Sequence, residues 1–339
     1  MPPFRPTPVR PVYYFGNKQS NTILVQMVER HQVRLIDDEV AMIRAFSGTD
    51  DFLLACVRVT DWNEDLTPWI APGLFGKSDF SGRGPQTLDH LLKDAIPLIL
   101  QEHADALAGR IEPHADFSSL FPPSSGQEDV PSFPASSFDP AKLFDASSPE
   151  NANPPSDSGS VFGIRLSGVS RTPPANNAGS ENTPKDTPAL GPPSSGFRMR
   201  SPSGAENGPD ASGVRLFLGG YSLAALFCLW TAYQTDIFSG IAAASPSLWY
   251  PDFVAYMEEN RILTDAVYLS LGTKEDKIRN RVMSRVGDAT RAADEILSSQ
   301  GILHTLEWNP GKHFQDTEKR TAMGFAWLLK NRYIWTMLD

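Results

Sequence analysis

The chain has little cysteine and no sequence pattern typical of a metal site. Its 339 residues include two cysteines, Cys56 and Cys228, and each lies within an apolar run. Two thiols in such runs predict reduced core residues rather than a disulfide framework or a metal-ligand set. No Cys-x-x-Cys or His-Glu-x-x-His pattern occurs, so we expect no metal.

Basic charge and long apolar runs are also scarce. Thirty Lys and Arg residues stand against 40 Asp and Glu residues, which gives a formal net charge of −10. Nucleic acids and anionic membranes bind basic faces, so this balance argues against both as partners. No apolar run approaches the length of a membrane span, and residues 1–8 lack the apolar core of a signal peptide. We therefore expect a soluble, cytoplasmic protein.

Residues 110–212 contain neither tryptophan nor tyrosine. Instead, these 103 residues contain 17 of the 29 prolines and 20 serines. Such a composition cannot bury enough apolar surface to offset the entropy cost of ordering the backbone. We predict a disordered Pro/Ser/Gly-rich insertion, which is compatible with binding a protein partner. The flanks, 9–109 and 213–339, then form a single discontinuous α/β domain, because loop closure costs little more as a loop lengthens.

The two flanks alternate strand-like apolar runs with helical patterns. This alternation is typical of an α/β fold with a mostly parallel sheet and helices on both faces. Before the insertion, the patterns predict strands at 9–15 and 52–59, a helix at 21–31, and a helix at 86–103 with a kink at Pro97. After it, they predict strands at 214–218, 240–244, 266–271 and 303–308, and helices at 224–234, 288–299 and 317–330.

A serine follows the first predicted strand after the insertion. The run Val214–Phe227 predicts a short strand that ends in two glycines, followed by Ser222 and a buried helix. A serine on a tight strand-to-helix turn is how an α/β-hydrolase exposes its nucleophile, and this turn needs small residues two positions before and after the serine. Gly220 meets that requirement, while Ala224 stands where glycine is usual. The segment alone fits an ordinary glycine-rich turn equally well.

Candidate partners for this serine follow two other predicted strands. Glu275 and Asp276 come after strand 266–271, and the residues alone do not choose between them. His313 follows the last predicted strand, whereas the other histidines lie in helical stretches, within a strand or in the insertion. The order serine, acid, histidine is that of an α/β-hydrolase triad. Histidine takes the proton of the serine, and the carboxylate orients the imidazole and stabilises its cation.

The remaining parts of a hydrolase site are backbone amides and aromatic side chains beyond the strand ends. An oxyanion hole needs two N–H donors, and we expect them from Leu223 and from either Trp62 or Asp61. Four aromatic residues are candidates either for the walls of a substrate pocket or for core packing: Trp69, Tyr221, Trp249 and Tyr250.

Several segments together resemble the putative-esterase branch of the α/β-hydrolases, which includes esterase D and the enterochelin-esterase-like enzymes. These segments are Gly219-Gly-Tyr-Ser-Leu-Ala224, Ala244-Ser-Pro-Ser-Leu-Trp249, Ser270-Leu-Gly-Thr-Lys-Glu275, Trp308-Asn-Pro-Gly-Lys-His-Phe314 and the loop 60–69. The resemblance covers roughly 9–109 and 213–335, and it implies Ser222 as nucleophile, His313 as base and Glu275 as the acid. The insertion and Ala224 depart from the pattern of the family.

Together these features predict a serine hydrolase that cleaves a carboxylic ester of a small molecule through an acyl-enzyme, with no metal or organic cofactor. Two alternatives remain open at the level of the sequence. One is an acyltransferase that uses the same triad, and the other is a non-catalytic hydrolase-fold scaffold whose insertion binds a partner.

Overall fold

The computed structural model describes residues 10–74, 78–115 and 213–331. The predicted disordered insertion, apart from residues 110–115, lies outside these residues. The division into one discontinuous domain and an insertion therefore stays a prediction. Within the described residues, no helix is both long enough and apolar enough to cross a membrane.

The described residues contain ten strands. In chain order they are β1 (Val12–Asn17), β2 (Thr22–Val28), β3 (Leu53–Arg58), β4 (Ile70–Ala71), β5 (Phe80–Ser81), β6 (His114–Ala115), β7 (Arg215–Tyr221), β8 (Gly240–Ala244), β9 (Ala266–Gly272) and β10 (Leu303–Asn309). Eight of them form one sheet in the order β10-β9-β8-β7-β2-β3-β1-β6, while β4 and β5 pair separately.

The sheet is mostly parallel, as predicted. The six strands from β10 to β3 run in the same direction. β1 pairs antiparallel with β3, and β6 pairs antiparallel with β1. The carboxyl ends of the six parallel strands therefore meet at one edge, which is where ligands bind in open α/β sheets.

Eight α-helices accompany the sheet in the described residues. They are α1 (Ile36–Ser47), α2 (Trp62–Asp65), α3 (Gly84–His90), α4 (Ile96–Leu107), α5 (Leu223–Thr231), α6 (Phe253–Glu259), α7 (Val286–Ser299) and α8 (Thr317–Asn331). Apolar residues of α1 and α8 pack in one buried cluster, and those of α4, α5, α6 and α7 pack in a second. The sheet lies between the two clusters, because successive residues of each central strand point to opposite faces.

The helix predicted at 21–31 is wrong, since Thr22–Val28 of this stretch form β2. All seven residues of β2 are buried. Ile23 and Val25 belong to one apolar cluster, whereas Leu24 and Val28 belong to the other. A central parallel strand is apolar on both faces, so it loses the alternation that distinguishes a strand from a buried helix.

The predicted helix at 86–103 is interrupted, although not by a simple proline kink. Residues 91–95 form a π-helical segment between α3 and α4, and Pro97 lies in the first turn of α4. Proline is tolerated there because the first-turn N–H groups have no partner within the helix. A π-segment is a recognised cause of a break in a helix.

Both cysteines are free and buried, as the sequence predicted. Burial raises the pKa of the Cys56 and Cys228 thiols well above the ordinary value. Since the thiolate is the nucleophilic form, neither cysteine is suited to catalysis.

Candidate active site

Ser222 lies on the sharp turn between β7 and α5. Its backbone has φ 60° and ψ −119°, a conformation that is strained for a residue with a side chain. The turn is tight because a Cβ at Gly220 would lie only 2.7 Å from the Cβ of Ala224. Alanine is therefore accommodated two residues after the serine because glycine stands two residues before it. Hydrogen bonds from the amides of Leu226 and Ser247 to the carbonyl of Ser222 hold the turn in place.

The side chains of Ser222, His313 and Glu275 form a continuous hydrogen-bonded chain. The Oγ of Ser222 lies 2.9 Å from Nε2 of His313. The Nδ1 of His313 lies 2.6 Å from Oε2 of Glu275. A carboxylate only accepts hydrogen bonds, so Nδ1 carries the proton and Nε2 is left to accept the proton of the serine. These residues follow β7, β10 and β9 respectively, at the shared carboxyl edge of the sheet.

The environment of Glu275 keeps its carboxylate charged. Burial by itself raises the pKa of Glu275, but His313, the Gly272 amide and the Ser245 hydroxyl together lower it below the ordinary value. Oε1 of Glu275 accepts from the Gly272 amide at 2.6 Å and from Oγ of Ser245 at 2.9 Å. Hydrogen bonds to the charged form of a carboxyl favour that form. A charged, oriented carboxylate can stabilise an imidazolium beside it.

Asp276, the alternative acid, has no contact with His313 among the hydrogen bonds of the described residues. Its carboxylate lies against Gly287, where a Cβ would be 3.1 Å from Oδ2. Glu275 and Asp276 are neighbours in sequence, but the turn after β9 directs only the former at the histidine.

Three buried residues that the sequence did not indicate support this chain. Oγ of Ser247 lies 3.2 Å from Oγ of Ser222. Ser245 binds Glu275, and Arg320 of α8 donates from Nη1 to Oε1 of Glu275 at 2.8 Å. The sequence did carry one signal for Arg320, which is its helical spacing. Gly324 follows it by four residues and Leu328 by eight, so all three lie on the buried face of α8.

The expected oxyanion donors lie at the first positions of two helices. Leu223 begins α5 and Trp62 begins α2, so neither N–H has an acceptor within its own helix. The amide of Asp61, the alternative to Trp62, instead donates to Oδ2 of Asp65 at 3.1 Å. Asp65 also accepts from the Thr60 amide at 3.2 Å, so the loop that leads into α2 is held by a buried carboxylate.

The four candidate pocket aromatics fall into two groups. Trp69 and Trp249 are half-buried and could contact a ligand, whereas Tyr221 and Tyr250 are buried. The hydroxyl of Tyr250 donates to the carbonyl of Trp69, and the hydroxyl of Tyr221 donates to the carbonyl of His313. Both tyrosines therefore hold loops of the site in place. Phe314, which the sequence did not indicate, is 41 % exposed and its ring centroid lies 4.8 Å from that of His313.

The described residues contain no group of three or more His, Cys, Asp or Glu side chains that could hold a metal ion. A hydroxyl beside an oriented imidazole, with the helix-start amide of Leu223 directly after it, can carry out nucleophilic attack on a carbonyl group.

The sequence matches no family profile, and no curated protein sequence resembles it significantly. Solved structures do resemble it. An IroE-like serine hydrolase from Shewanella oneidensis aligns with a TM-score of 0.50 and 11 % identity, covering 95 % of this chain and 76 % of the other. The siderophore hydrolase EstA from Aspergillus nidulans aligns with a TM-score of 0.45 and 13 % identity, covering 97 % of each chain.

The enterobactin esterase FES from Shigella flexneri aligns with a TM-score of 0.45 and 10 % identity, covering 97 % of this chain and 56 % of the other. At such identities a structural likeness describes the fold. The chain has the α/β-hydrolase fold.

Proposed function

We propose that this protein is a serine hydrolase that cleaves a carboxylic ester of a small molecule through an acyl-enzyme intermediate. The observation that carries the proposal is the chain from Ser222 through His313 to Glu275, with contacts of 2.9 and 2.6 Å. Each member alone is a common residue, but a nucleophile, a base and an orienting acid in hydrogen-bonding sequence meet the geometric requirement for acyl transfer.

Acylation begins when Oγ of Ser222 attacks the ester carbonyl carbon and its proton passes to Nε2 of His313. The carbonyl oxygen becomes an oxyanion, which the amides of Leu223 and Trp62 stabilise. His313 then donates the proton to the leaving alcohol as the tetrahedral intermediate collapses. Glu275 keeps Nδ1 protonated throughout and stabilises the imidazolium, without itself accepting the proton.

Deacylation repeats these steps with water as the nucleophile. Nε2 of His313 removes a proton from water, and the resulting hydroxide attacks the acyl carbon. The second tetrahedral intermediate uses the same two amides, and its collapse returns the proton to Oγ of Ser222. No step needs a metal or an organic cofactor.

The surroundings of the triad support a small-molecule ester as the substrate. Trp69, Trp249 and Phe314 are partly exposed aromatic residues that can wall an acyl or alcohol pocket. The similar structure from Shewanella oneidensis is named a serine hydrolase, which agrees with this class of reaction. The net charge of −10 disfavours nucleic acid as a partner, and a cytoplasmic location stays a prediction.

Substitution of the nucleophile tests the proposal. We expect Ser222→Ala to lower kcat for p-nitrophenyl acetate by roughly 10⁴-fold or more, because the triad acts as a unit. The same variant should no longer react with a fluorophosphonate probe. Ser298→Ala, which changes an exposed serine of α7, is the matched control and should retain both activities. A folded wild-type protein that neither reacts with the probe nor hydrolyses esters would instead support a non-catalytic scaffold.

A further inference from the structure

Arg320 is an arginine in the protein interior. It lies in the first turn of α8 and its residue surface is 1 % exposed. Burying a guanidinium is costly unless its charge is paired and its N–H groups are bonded. The partners of Arg320 therefore indicate why an arginine is present at this position.

One end of the guanidinium contacts the acid of the triad. Nη1 donates to Oε1 of Glu275 at 2.8 Å and also approaches the hydroxyls of Tyr221 at 3.1 Å and Ser245 at 3.3 Å. Oε1 is thereby surrounded by donors, and Oε2 remains for His313. Arg320 thus helps to determine which carboxylate oxygen faces the histidine.

The other end of the guanidinium contacts the loop that carries the histidine. Nη2 donates to the backbone carbonyls of Pro310 and Lys312, each at 3.1 Å. Tyr221 adds a second link, because its hydroxyl accepts from Arg320 and donates to the carbonyl of His313. A single side chain from α8 is consequently bonded to groups at the ends of β7, β9 and β10.

We propose that Arg320 is a positioning residue of the triad, which fixes Glu275 relative to the loop of His313 and offsets part of the carboxylate charge facing the imidazole. The proposal rests on the proposed function. A planar guanidinium with several fixed donors suits this role, whereas the single ammonium of lysine can replace its charge but not all of its bonds.

The electrostatic part of the proposal has its own signature. Arg320 donates to the carboxylate of Glu275, and the phenol of Tyr221 donates to the backbone carbonyl of His313. Burial raises the pKa of Tyr221, so its phenol stays neutral over the range of an acidic pH profile. Removing the charge of Arg320 leaves a more negative environment at His313, which favours the imidazolium. The acidic limb of the kcat/KM profile should then move to higher pH.

The experiment compares Arg320→Gln and Arg320→Lys with Lys319→Gln, an exposed charge on the same helix turn. For Arg320→Gln we expect a roughly 10- to 100-fold lower kcat with little change in KM. Its acidic limb should move by about 0.5 to 2 pH units. Arg320→Lys should return the limb towards the wild-type position while recovering kcat only in part, and Lys319→Gln should match the wild type.

A purely structural role would lower thermal stability while leaving the acidic limb unmoved, and that result would overturn the proposal. So would a folded Arg320→Gln variant with kcat within about twofold of the wild type. If Arg320→Gln does not fold, Arg320→Lys and Tyr221→Phe test the proposal instead. Both variants keep a positive charge at position 320. Tyr221→Phe should lower kcat without moving the limb, and wild-type kcat in both variants would contradict the proposal.

Failure of the proposed function is separable from failure of this inference. A wild-type protein without Ser222-dependent turnover refutes the function. In that case the proton NMR signal of His313 Nδ1–H still reports the short bond to Glu275. That signal should shift or broaden in Arg320→Gln and stay unchanged in Lys319→Gln; identical signals in all three proteins refute the inference about Arg320.

Discussion

Neutralising each carboxylate of the turn after β9 tests the assignment of the acid. The pair Glu275→Gln and Asp276→Asn is matched, because each change removes one negative charge from adjacent residues with almost no change in volume. Only Glu275 reaches His313, at 2.6 Å. We therefore expect a large loss of turnover in the first variant and a change of less than about twofold in the second.

The structure determines how a glutamine would sit at position 275. The position of Oε1 accepts from Gly272, Ser245 and Arg320, so the amide oxygen must occupy it. The NH2 group is then forced towards Nδ1 of His313. Nδ1 must in turn become an acceptor, which moves the ring proton to Nε2, and an Nε2 that carries a proton cannot accept one from Ser222.

The expected loss of turnover in Glu275→Gln follows from this change of histidine tautomer. A reversed histidine tautomer costs about 10⁴-fold in kcat in a serine-protease triad, so we expect a loss of about 10³- to 10⁴-fold here. That range corresponds to roughly 4 to 5.5 kcal/mol of transition-state stabilisation. The assay is steady-state hydrolysis of p-nitrophenyl acetate, with thermal unfolding as the check on folding. Comparable losses in both variants, or a loss in Asp276→Asn alone, would refute the geometric reasoning.

Three further predictions concern stability and the turn of the nucleophile. Burial raises the pKa of Glu39 to about 8, so the folded protein binds more protons than the unfolded chain and its stability should fall as pH rises from about 4.5 to 8. In urea unfolding, the free energy of unfolding should fall by the order of a few kcal/mol over this pH range. Glu39→Gln should remove this pH dependence, whereas the control Asp38→Asn should retain it. Gly220→Ala should destabilise the fold by about 1 to 3 kcal/mol in thermal unfolding, because its Cβ would meet Ala224 at 2.7 Å; an unchanged melting temperature contradicts this. Ser247→Ala should lower kcat by roughly 2- to 10-fold, because it removes one hydrogen bond to Ser222. An unchanged kcat would show that this hydrogen bond does not contribute to turnover.

The sequence predicted the elements that end at the site better than those that support it. Ser222, Glu275 and His313 could be singled out because each follows an apolar strand, and parallel strands bring such positions to one edge. The sequence could not predict which of Glu275 and Asp276 contacts His313. The two are neighbours in sequence, and only the conformation of the turn directs one towards the histidine and the other towards Gly287.

Two kinds of feature were beyond the reach of sequence patterns. β2 was wrongly predicted as a helix because burial on both faces removes its periodicity. Arg320 was missed because its role depends on partners from three other parts of the chain. Its only local signal, a cation on the buried face of α8, shows that a partner exists without showing which residue it is.

The points where the predicted insertion leaves and rejoins the described residues have a consequence for engineering this protein. Ala115 pairs with Gly16, which lies opposite the first residue of β3, and Gly213 leads into the first residue of β7. Both points lie at the amino edge of the sheet, opposite the edge that carries Ser222, Glu275 and His313. Four strand spacings, about 19 Å, separate them along the sheet, and a flexible Gly/Ser linker of about 12 residues spans that distance on average. We therefore expect that a linker of that length can join Ala115 to Gly213 without altering the register of the strands that precede Ser222, Glu275 and His313.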